Sequence, residues 1–525
     1  MSVLGLQTAL LFVLTTLVTM LAVRWYRQRS RLPGKLPPGP WGLPLIGSIF
    51  SLGKQPHLTL MDMAKKYGNV FTLNLAGQLV VVLNGYESVR EALVKKAGVF
   101  AGRPHLALTQ ELTEGQGIVV ADYGPIWREQ RKFTLTALRN FGFGKESFEA
   151  EIQEEIRYML AAFKEKESFE AEIQEEIRYM LAAFKEKDGS SFNSDHIVEI
   201  AVSNVVCNFN FGRRFEYQDP KFQLLVDSIY RFAEIGTNAA AINFFPFLKH
   251  LPIPEIREVF EIDKVVRSFL QRMIEDHKET LDETRQRDFI DAYLLEIKRR
   301  QEAMKKEEKI SEADASFTET YLFHILNDLI FAGTETMSST IRWAILYMIV
   351  QPEVQKKVQE ELDTVIAPGE LPSWRDRNRM PYTEATLMEI QRMANITALT
   401  FPHKTTEDTE LAGYSIPKDT HVFINLYSVH VDPTQWKEPE KFMPERFLSD
   451  EGGVIHNPAL MPFSAGRRAC PGEKLARMEL FLFFSSMLRY FTLTPAPENP
   501  NPSIYKNYGI SLNPKPYKIC VIPRQ

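Results

Sequence analysis

The chain has 525 residues, of which 44% are hydrophobic, and a formal net charge of −5 at pH 7. This supplies a large core and argues against nucleic acid as the main partner. Three cysteines, Cys207, Cys470 and Cys520, are too few and too scattered for a disulfide framework, so the folded part is expected in a reducing compartment.

Residues 3–23 carry no charge, and as a helix they reach about 31 Å, enough to cross a bilayer core. The basic cluster Arg24, Arg27, Arg29, Arg31 and Lys35 follows the apolar run, where a cleaved leader would have it in front. By the positive-inside rule the N-terminus is expected in the lumen and everything after residue 24 in the cytosol. The Pro/Gly run Leu36 to Gly47 cannot be helical and reads as a stiff spacer. The expected organisation is a membrane anchor over 1–23, a basic and Pro-rich linker over 24–50, and one large domain over 51–525.

Within that domain, 55–67 read as a helix, 69–75 and 78–83 as a strand pair, and 86–95 as helix again. Residues 101–124 are turn-rich and irregular, a length that usually marks a functional loop. A helix opens at Pro125 and carries Trp127 and Arg131 on one face, where an indole N–H and a guanidinium could hold a carboxylate or phosphate. The plainer alternative is a Trp stacked by its own Arg.

Residues 145–165 recur unchanged at 166–186. Each copy has an amphipathic helical pattern, with Phe148, Ile152, Ile156, Met159/Leu160 and Phe163 on the apolar face of the first. Two identical copies are a tandem duplication and no solenoid, and both cannot fill one groove. One copy is expected in the core, the other with its apolar face poorly satisfied.

From 190 to 285 the pattern is helical, broken by the apolar, Pro-interrupted stretch 239–254, which suits a membrane contact or a substrate entrance as well as a core-covering loop. Residues 296–309 read as a solvated mixed-charge segment. A proline-free helical run extends from Thr318 to Val350 and contains Ala332-Gly333-Thr334-Glu335-Thr336. Its glycine allows close approach, and its acid beside an alcohol could relay protons; the plainer reading is a helix crossing. Glu389 and Arg392 share a face of a helix at 383–393, and Pro444-Glu445-Arg446-Phe447 offers a second arginine. Phe401-Pro-His403 precedes strand-like segments at 409–416 and 421–426, and the C-terminal 511–516 and 517–522 look like a short hairpin.

The most informative stretch is Phe463-Ser-Ala-Gly466-Arg467-Arg468-Ala-Cys470-Pro471-Gly472, followed by a helical pattern to about residue 490. Two glycines permit a tight loop, Arg468 brings positive charge, and the following helix N-terminus favours a thiolate at Cys470. A single soft thiolate suits a metal.

The order and spacing of these motifs, from apolar anchor and Pro-rich hinge through Trp-x-x-x-Arg, Ala-Gly-x-Glu-Thr, Glu-x-x-Arg and Pro-Glu-Arg-Phe to the Cys loop, resembles a microsomal cytochrome P-450 of the animal family 2 group. The resemblance covers the chain except for one copy of the duplication. It implies a mainly α fold with small β-sheets (α+β), in which haem b lies between a long distal helix and the Cys loop with its proximal helix. It makes Cys470 the iron ligand. Arg103, Trp127, Arg131, His403 and Arg468 would contact the haem propionates. Thr336 would hydrogen-bond bound O2 and Glu335 would help deliver protons. Val120, Ala121, Asp328, Ala332, Thr400, Phe401 and Ile510 would line the substrate pocket, while Glu389, Arg392 and Arg446 would form a structural ion network. Met337 stands where relatives often have a second Thr.

The implied activity is a monooxygenase acting on a small lipophilic substrate with O2, at the endoplasmic reticulum membrane as a single-pass protein. Electrons would come from NADPH through a reductase docking near Arg128, Arg131, Lys132, Arg139 and Lys474, with cytochrome b5 as a further candidate donor. The alternatives are an O2-independent haem-thiolate isomerase or dehydratase, and a haem-binding or misfolded variant produced by the duplication.

Overall fold

The computed structural model describes residues 35–40, 42–43, 46–140, 169–305 and 311–524, together with positions 12, 15–16, 19–20 and 23. One helix, Glu319–Val350, sets the frame; its 32 residues span about 48 Å. Thr318 caps it by accepting from the Tyr321 amide at 3.1 Å, and Gln351-Pro352 ends it, since a residue before proline avoids helical backbone. Every residue from Met337 to Ile349 is buried, so this half is enclosed by the protein on all sides.

The helix Asp195–Phe211 packs across it. At the crossing, a Cβ on Gly333 would come within 2.9 Å of a Val206 methyl. Gly333 is therefore a crossing residue, as the plainer reading had it. The proximal helix Glu473–Tyr490 packs against the same long helix and against Phe169–Lys185.

Phe169–Lys185 belongs to the second copy of the repeat. It buries Phe169, Ile173, Ile177, Met180, Leu181 and Phe184, the counterparts of the apolar face read in the first copy. Its buried Glu176 pairs with Arg214 at 2.6 Å. The first copy, 145–165, lies outside the described residues.

The strands are β1 (Val70–Leu75), β2 (Gln78–Leu83), β3 (His403–Lys404), β4 (Thr409–Leu411), β5 (Tyr414–Ile416), β6 (His421–Ile424), β7 (Phe491–Pro495), β8 (Lys506–Tyr508), β9 (Leu512–Pro514) and β10 (Ile519–Pro523). The largest sheet has the order β1-β2-β6-β3. Ala76 and Gly77, both at positive φ, close the predicted β1–β2 hairpin, whose twist needs such a turn. The stretch read as one strand at 409–416 is itself a hairpin, turned at Ala412-Gly413.

The expected C-terminal hairpin does not form. β9 pairs with β8, and β10 pairs with β7. Pro514 and Pro516 lack the amides that a β9–β10 ladder would use. The irregular 101–124 region contains a short helix, Ala107–Thr113.

Among the described residues no helix is long and apolar enough to cross a membrane; most of the apolar run 3–23 lies outside them.

Candidate active site

The Cys470 loop is shaped by its backbone. The Cys470 amide donates to the Phe463 carbonyl at 3.0 Å, and Gly466–Arg468 form one turn of 3-10 helix between them. Gly466 has φ +75, and a Cβ there would lie 1.9 Å from the Leu93 carbonyl oxygen, so only glycine fits. Gly472 differs from expectation. Its φ is −89, and a Cβ there would meet the Cys470 sulfur at an ordinary 3.9 Å.

Cys470 has accessible surface, yet protein encloses it closely enough for burial to push its thiol pKa up. The Gly472 amide and Arg131 oppose that shift without overcoming it. Burial therefore works against the thiolate that the helix N-terminus favours. A bound metal ion would deprotonate a coordinating thiol outright.

Beside this loop three guanidiniums gather. Arg468 donates from Nε to the Ala101 carbonyl at 2.8 Å, from Nη2 to Ala121 at 2.7 Å and from Nη1 to Ile118 at 3.2 Å. Arg103 donates from Nε to Val119 at 2.9 Å and from Nη1 to Phe401 and Pro402, both at 2.8 Å. Arg131 donates to the Ala469 carbonyl, next to the cysteine. The Trp127 ring lies 4.1 Å from the Arg468 guanidinium and 5.4 Å from that of Arg131. Its indole N–H donates to the Ile118 carbonyl at 2.9 Å. The indole is thus spent on the fold, and the cation stack is real.

Burial pulls Arg103 well below the usual arginine range, with Arg468 and Arg131 adding repulsion, and lowers Arg468 to about 10. The acid that acts on both, Asp122, is itself paired with Lys404 at 2.8 Å. Burial also holds His403 well below 6.5, with Arg103 and Arg468 nearby, so the ring is neutral. Its Nδ1 donates to the Phe100 carbonyl at 2.6 Å. Two buried arginines and a part-buried third, facing so little negative charge, suit an anionic ligand.

On the long helix, Asp328, Ala332 and Thr336 succeed one another every four residues and so share a face. The Thr336 hydroxyl donates back to the Ala332 carbonyl at 2.6 Å. Asp328 Oδ2 accepts from the amides of Ile118 at 2.6 Å and Val119 at 3.0 Å, and burial brings its pKa up to about 6. That oxygen is committed to the loop carrying Val120 and Ala121. Gly117, missed in the sequence, lets the loop close: at φ +93, a Cβ would lie 2.5 Å from Asp328 Oδ2.

Glu335 lies about 100° round the helix from Thr336. Its Oε1 accepts from Ser511, from Asn513 at 3.0 Å and from Ser339 at 3.3 Å, while Oε2 is buried with no hydrogen-bond partner among the described residues. Burial raises its pKa. Phe401 lies under the Arg103 guanidinium, and the Thr400 hydroxyl is buried without a hydrogen-bond partner among the described residues. Ile510 is half exposed and packs at Gly236, anchored by its amide on the Ala233 carbonyl at 3.0 Å.

Glu389, Arg392 and Arg446 come together in the core. Glu389 pairs with Arg392 at 2.7 Å and with Arg446 at 3.1 Å. Arg392 also donates to the His430 carbonyl at 2.8 Å, and His430 Nε2 accepts from the Met461 amide at 2.9 Å, at the approach to the Cys loop. Sequence reasoning missed this His430 step, for which an isolated histidine carries no signal.

A family model described as Cytochrome P450 matches residues 37–172 and 161–521. The chain belongs to the cytochrome P450 family. The two matched segments of this P450 overlap at 161–172, inside the repeat, as expected where the family has one helix and the chain has two copies. The chain is 39% identical to Cytochrome P450 2U1 of Bos taurus over 94% of its own length and 90% of the relative's. It is 39% identical to Cytochrome P450 2J2 of Homo sapiens, over 97% and 95% respectively. Cytochrome P450 2D4 of Rattus norvegicus matches at 38% identity over 97% of both chains. The animal family 2 resemblance and the mainly helical P450 fold are thereby established, and with them a haem-iron monooxygenase. The residues fit the group: one soft thiol with open surface, beside a cationic cluster short of anions, matches an iron and two propionates.

Proposed function

We propose that this P450 inserts one oxygen atom from O2 into a small lipophilic substrate, RH + O2 + two electrons + two protons giving ROH and water, with Cys470 as ligand to haem b. The observation that carries this reading is a lone accessible thiol beside three guanidiniums that face little negative charge, in a chain whose long helix keeps both Glu335 and Thr336. The haem iron supplies the oxygen chemistry, and thiolate donation favours O–O cleavage.

This chain's residues do the rest. Arg103, Arg131 and Arg468 would hold the haem propionates. The Asp328 carboxylate holds the 117–119 backbone, which places Val120 and Ala121 at the substrate. Ala332 leaves room where a larger side chain would fill the face shared with Thr336. Glu335, its pKa raised by burial, is the proton carrier of the site, and the Thr336 hydroxyl offers the hydrogen bond that passes a proton on. Glu389, Arg392 and Arg446 secure the cysteine side.

The electrons come from NADPH through a membrane reductase, with cytochrome b5 as a second donor, docking on the basic face around Arg128, Lys132, Arg139 and Lys474. Residues 1–23 anchor the protein in the endoplasmic reticulum membrane with the 51–525 domain in the cytosol. The exposed Phe247 and Leu251, in the Pro-broken connection after residue 239, supply an apolar surface for the same membrane.

Turnover with reductase, NADPH and isotopically heavy O2, over a library of lipids and drug-like compounds, tests the reading. Heavy oxygen in a hydroxylated product is expected. Turnover that needs neither NADPH nor O2 would instead favour an isomerase.

A further inference from the structure

The turn between β8 and β9 is fixed without help from its polar side chains. The Ile510 amide donates to the Ala233 carbonyl at 3.0 Å and the Leu512 amide to the Ile396 carbonyl at 2.7 Å. The Trp343 indole donates to the Leu512 carbonyl at 2.7 Å. Ser511 and Asn513 are therefore free of that task. They stand two apart at the start of β9, so their side chains face the same way, and both meet Glu335 on the long helix.

The contacts of Asn513 fix which end of its amide faces Glu335. Arg342, held by Asp195 through bonds of 2.8 and 2.7 Å, can only donate, and it does so to Asn513 Oδ1 at 3.4 Å. The Ser339 hydroxyl donates to the same oxygen. The Asn513 nitrogen is thus turned to two acceptors, Glu335 Oε1 and Ser511 Oγ, each at 3.0 Å. Ser511 accepts that bond and gives its own hydrogen to Glu335 Oε1. Ser339, one helical turn beyond Glu335, lies 3.3 Å from Oε1 as well.

All the donors on Oε1 are neutral, and a carbonyl oxygen accepts from them as a carboxylate oxygen does. Oε2 is buried and has no hydrogen-bond partner among the described residues. In a protonated carboxyl one oxygen accepts and the other carries the hydrogen. Donors crowd Oε1, so the hydrogen belongs on Oε2.

We propose that Ser511 and Asn513 are positioning residues for Glu335, holding Oε1 as the acceptor and leaving Oε2 as the atom that carries and releases the proton. This rests on the reading of Glu335 as the proton carrier of the site. Release breaks the Oε2–H bond, leaves its electron pair on the carboxylate and keeps every bond to Oε1. Re-protonation at Oε2 restores the starting state.

Glu335→Gln, Ser511→Ala, Ser511→Thr and Asn513→Ala in the full-length holoenzyme test this. The infrared difference between wild type and Glu335→Gln, taken down in pH until the carboxyl band appears, reads the Glu335 carbonyl. A band at the low wavenumber of a multiply hydrogen-bonded carbonyl is expected. It should move up in Ser511→Ala and Asn513→Ala and return in Ser511→Thr. A wild-type band at the high wavenumber of a free carbonyl puts the hydrogen on Oε1 and overturns the proposal. Both alanine variants should also lower product formed per NADPH about tenfold, with KM unchanged. Wild-type coupling in either one leaves that side chain a structural role only and overturns the proposal. If Glu335→Gln is then fully coupled too, the Glu335 reading falls with it; if Glu335→Gln alone is uncoupled, the positioning proposal alone fails. Should Asn513→Ala not retain haem, Ser511→Ala and the wild-type band decide between the same outcomes.

Discussion

The Asp328 carboxylate accepts the Ile118 amide at 2.6 Å, and the Ile118 carbonyl in turn accepts from Trp127 and Arg468. The backbone of one residue thereby ties the long helix to the arginine cradle. Asp328→Ala leaves the Ile118 and Val119 amides without their acceptor, at about 1–3 kcal/mol for each buried donor left unpaired. It should lower the thermal midpoint and weaken haem retention together. Asp328→Asn keeps an acceptor oxygen and should lose much less. Equal losses in the two variants would show that the charge, and no hydrogen bond, holds the loop.

Thr336 makes its one described side-chain hydrogen bond within its own helix, to Ala332. Thr336→Ala should therefore fold like the wild type, within about 1 kcal/mol. Product formation should fall about 100-fold, with oxygen consumption diverted to peroxide. Simultaneous measurement of product, NADPH and peroxide checks this; unchanged coupling would remove Thr336 from the proton path.

Glu479, in the proximal helix, is buried with both carboxylate oxygens lacking hydrogen-bond partners among the described residues, and burial holds its pKa well above the usual 4.5. The folded state then binds more protons than the unfolded state above pH 4.5, so this group makes stability fall as pH rises through and beyond that value. Glu479→Gln should flatten that slope and gain about 1.4 kcal/mol at pH 7 for each unit by which the native pKa is raised up to that pH. Thermal midpoints of both proteins from pH 5 to about pH 8 give the comparison. A steeper loss in the variant would mean that the carboxylate has a stabilising partner.

Because the two copies of the repeat are identical, deleting 145–165 or 166–186 yields the same chain of 504 residues, 21 fewer than 525. The face that Phe169, Ile173, Ile177, Met180 and Phe184 bury is preserved in that chain. The shortened protein should fold with an equal or higher thermal midpoint and bind haem at least as well. A collapse in expression would mean that the fold needs both copies.

Much of the frame was legible because it rests on periodicity and end signals. Thr318 and Pro352 bracket the long helix, Ala76-Gly77 turns the first hairpin, and the repeat announces its own apolar face. Pairing between distant strands was not legible: β10 takes β7 as its partner because prolines spoil the nearer strand, a choice made by tertiary contact. The site was legible as residue types, but their commitments were not. The Trp127 indole looked available for a ligand and is spent on Ile118, and Asp328 looked like a pocket wall and holds a loop.

The central claim is that Cys470 holds haem iron as a thiolate in a correctly folded chain. The carbon-monoxide difference spectrum of the reduced protein tests it most directly, with Cys470→Ser alongside. A red-shifted Soret band in the wild type, lost in Cys470→Ser, is the predicted result. A band at the neutral-thiol position, or no haem retained at all, would contradict it.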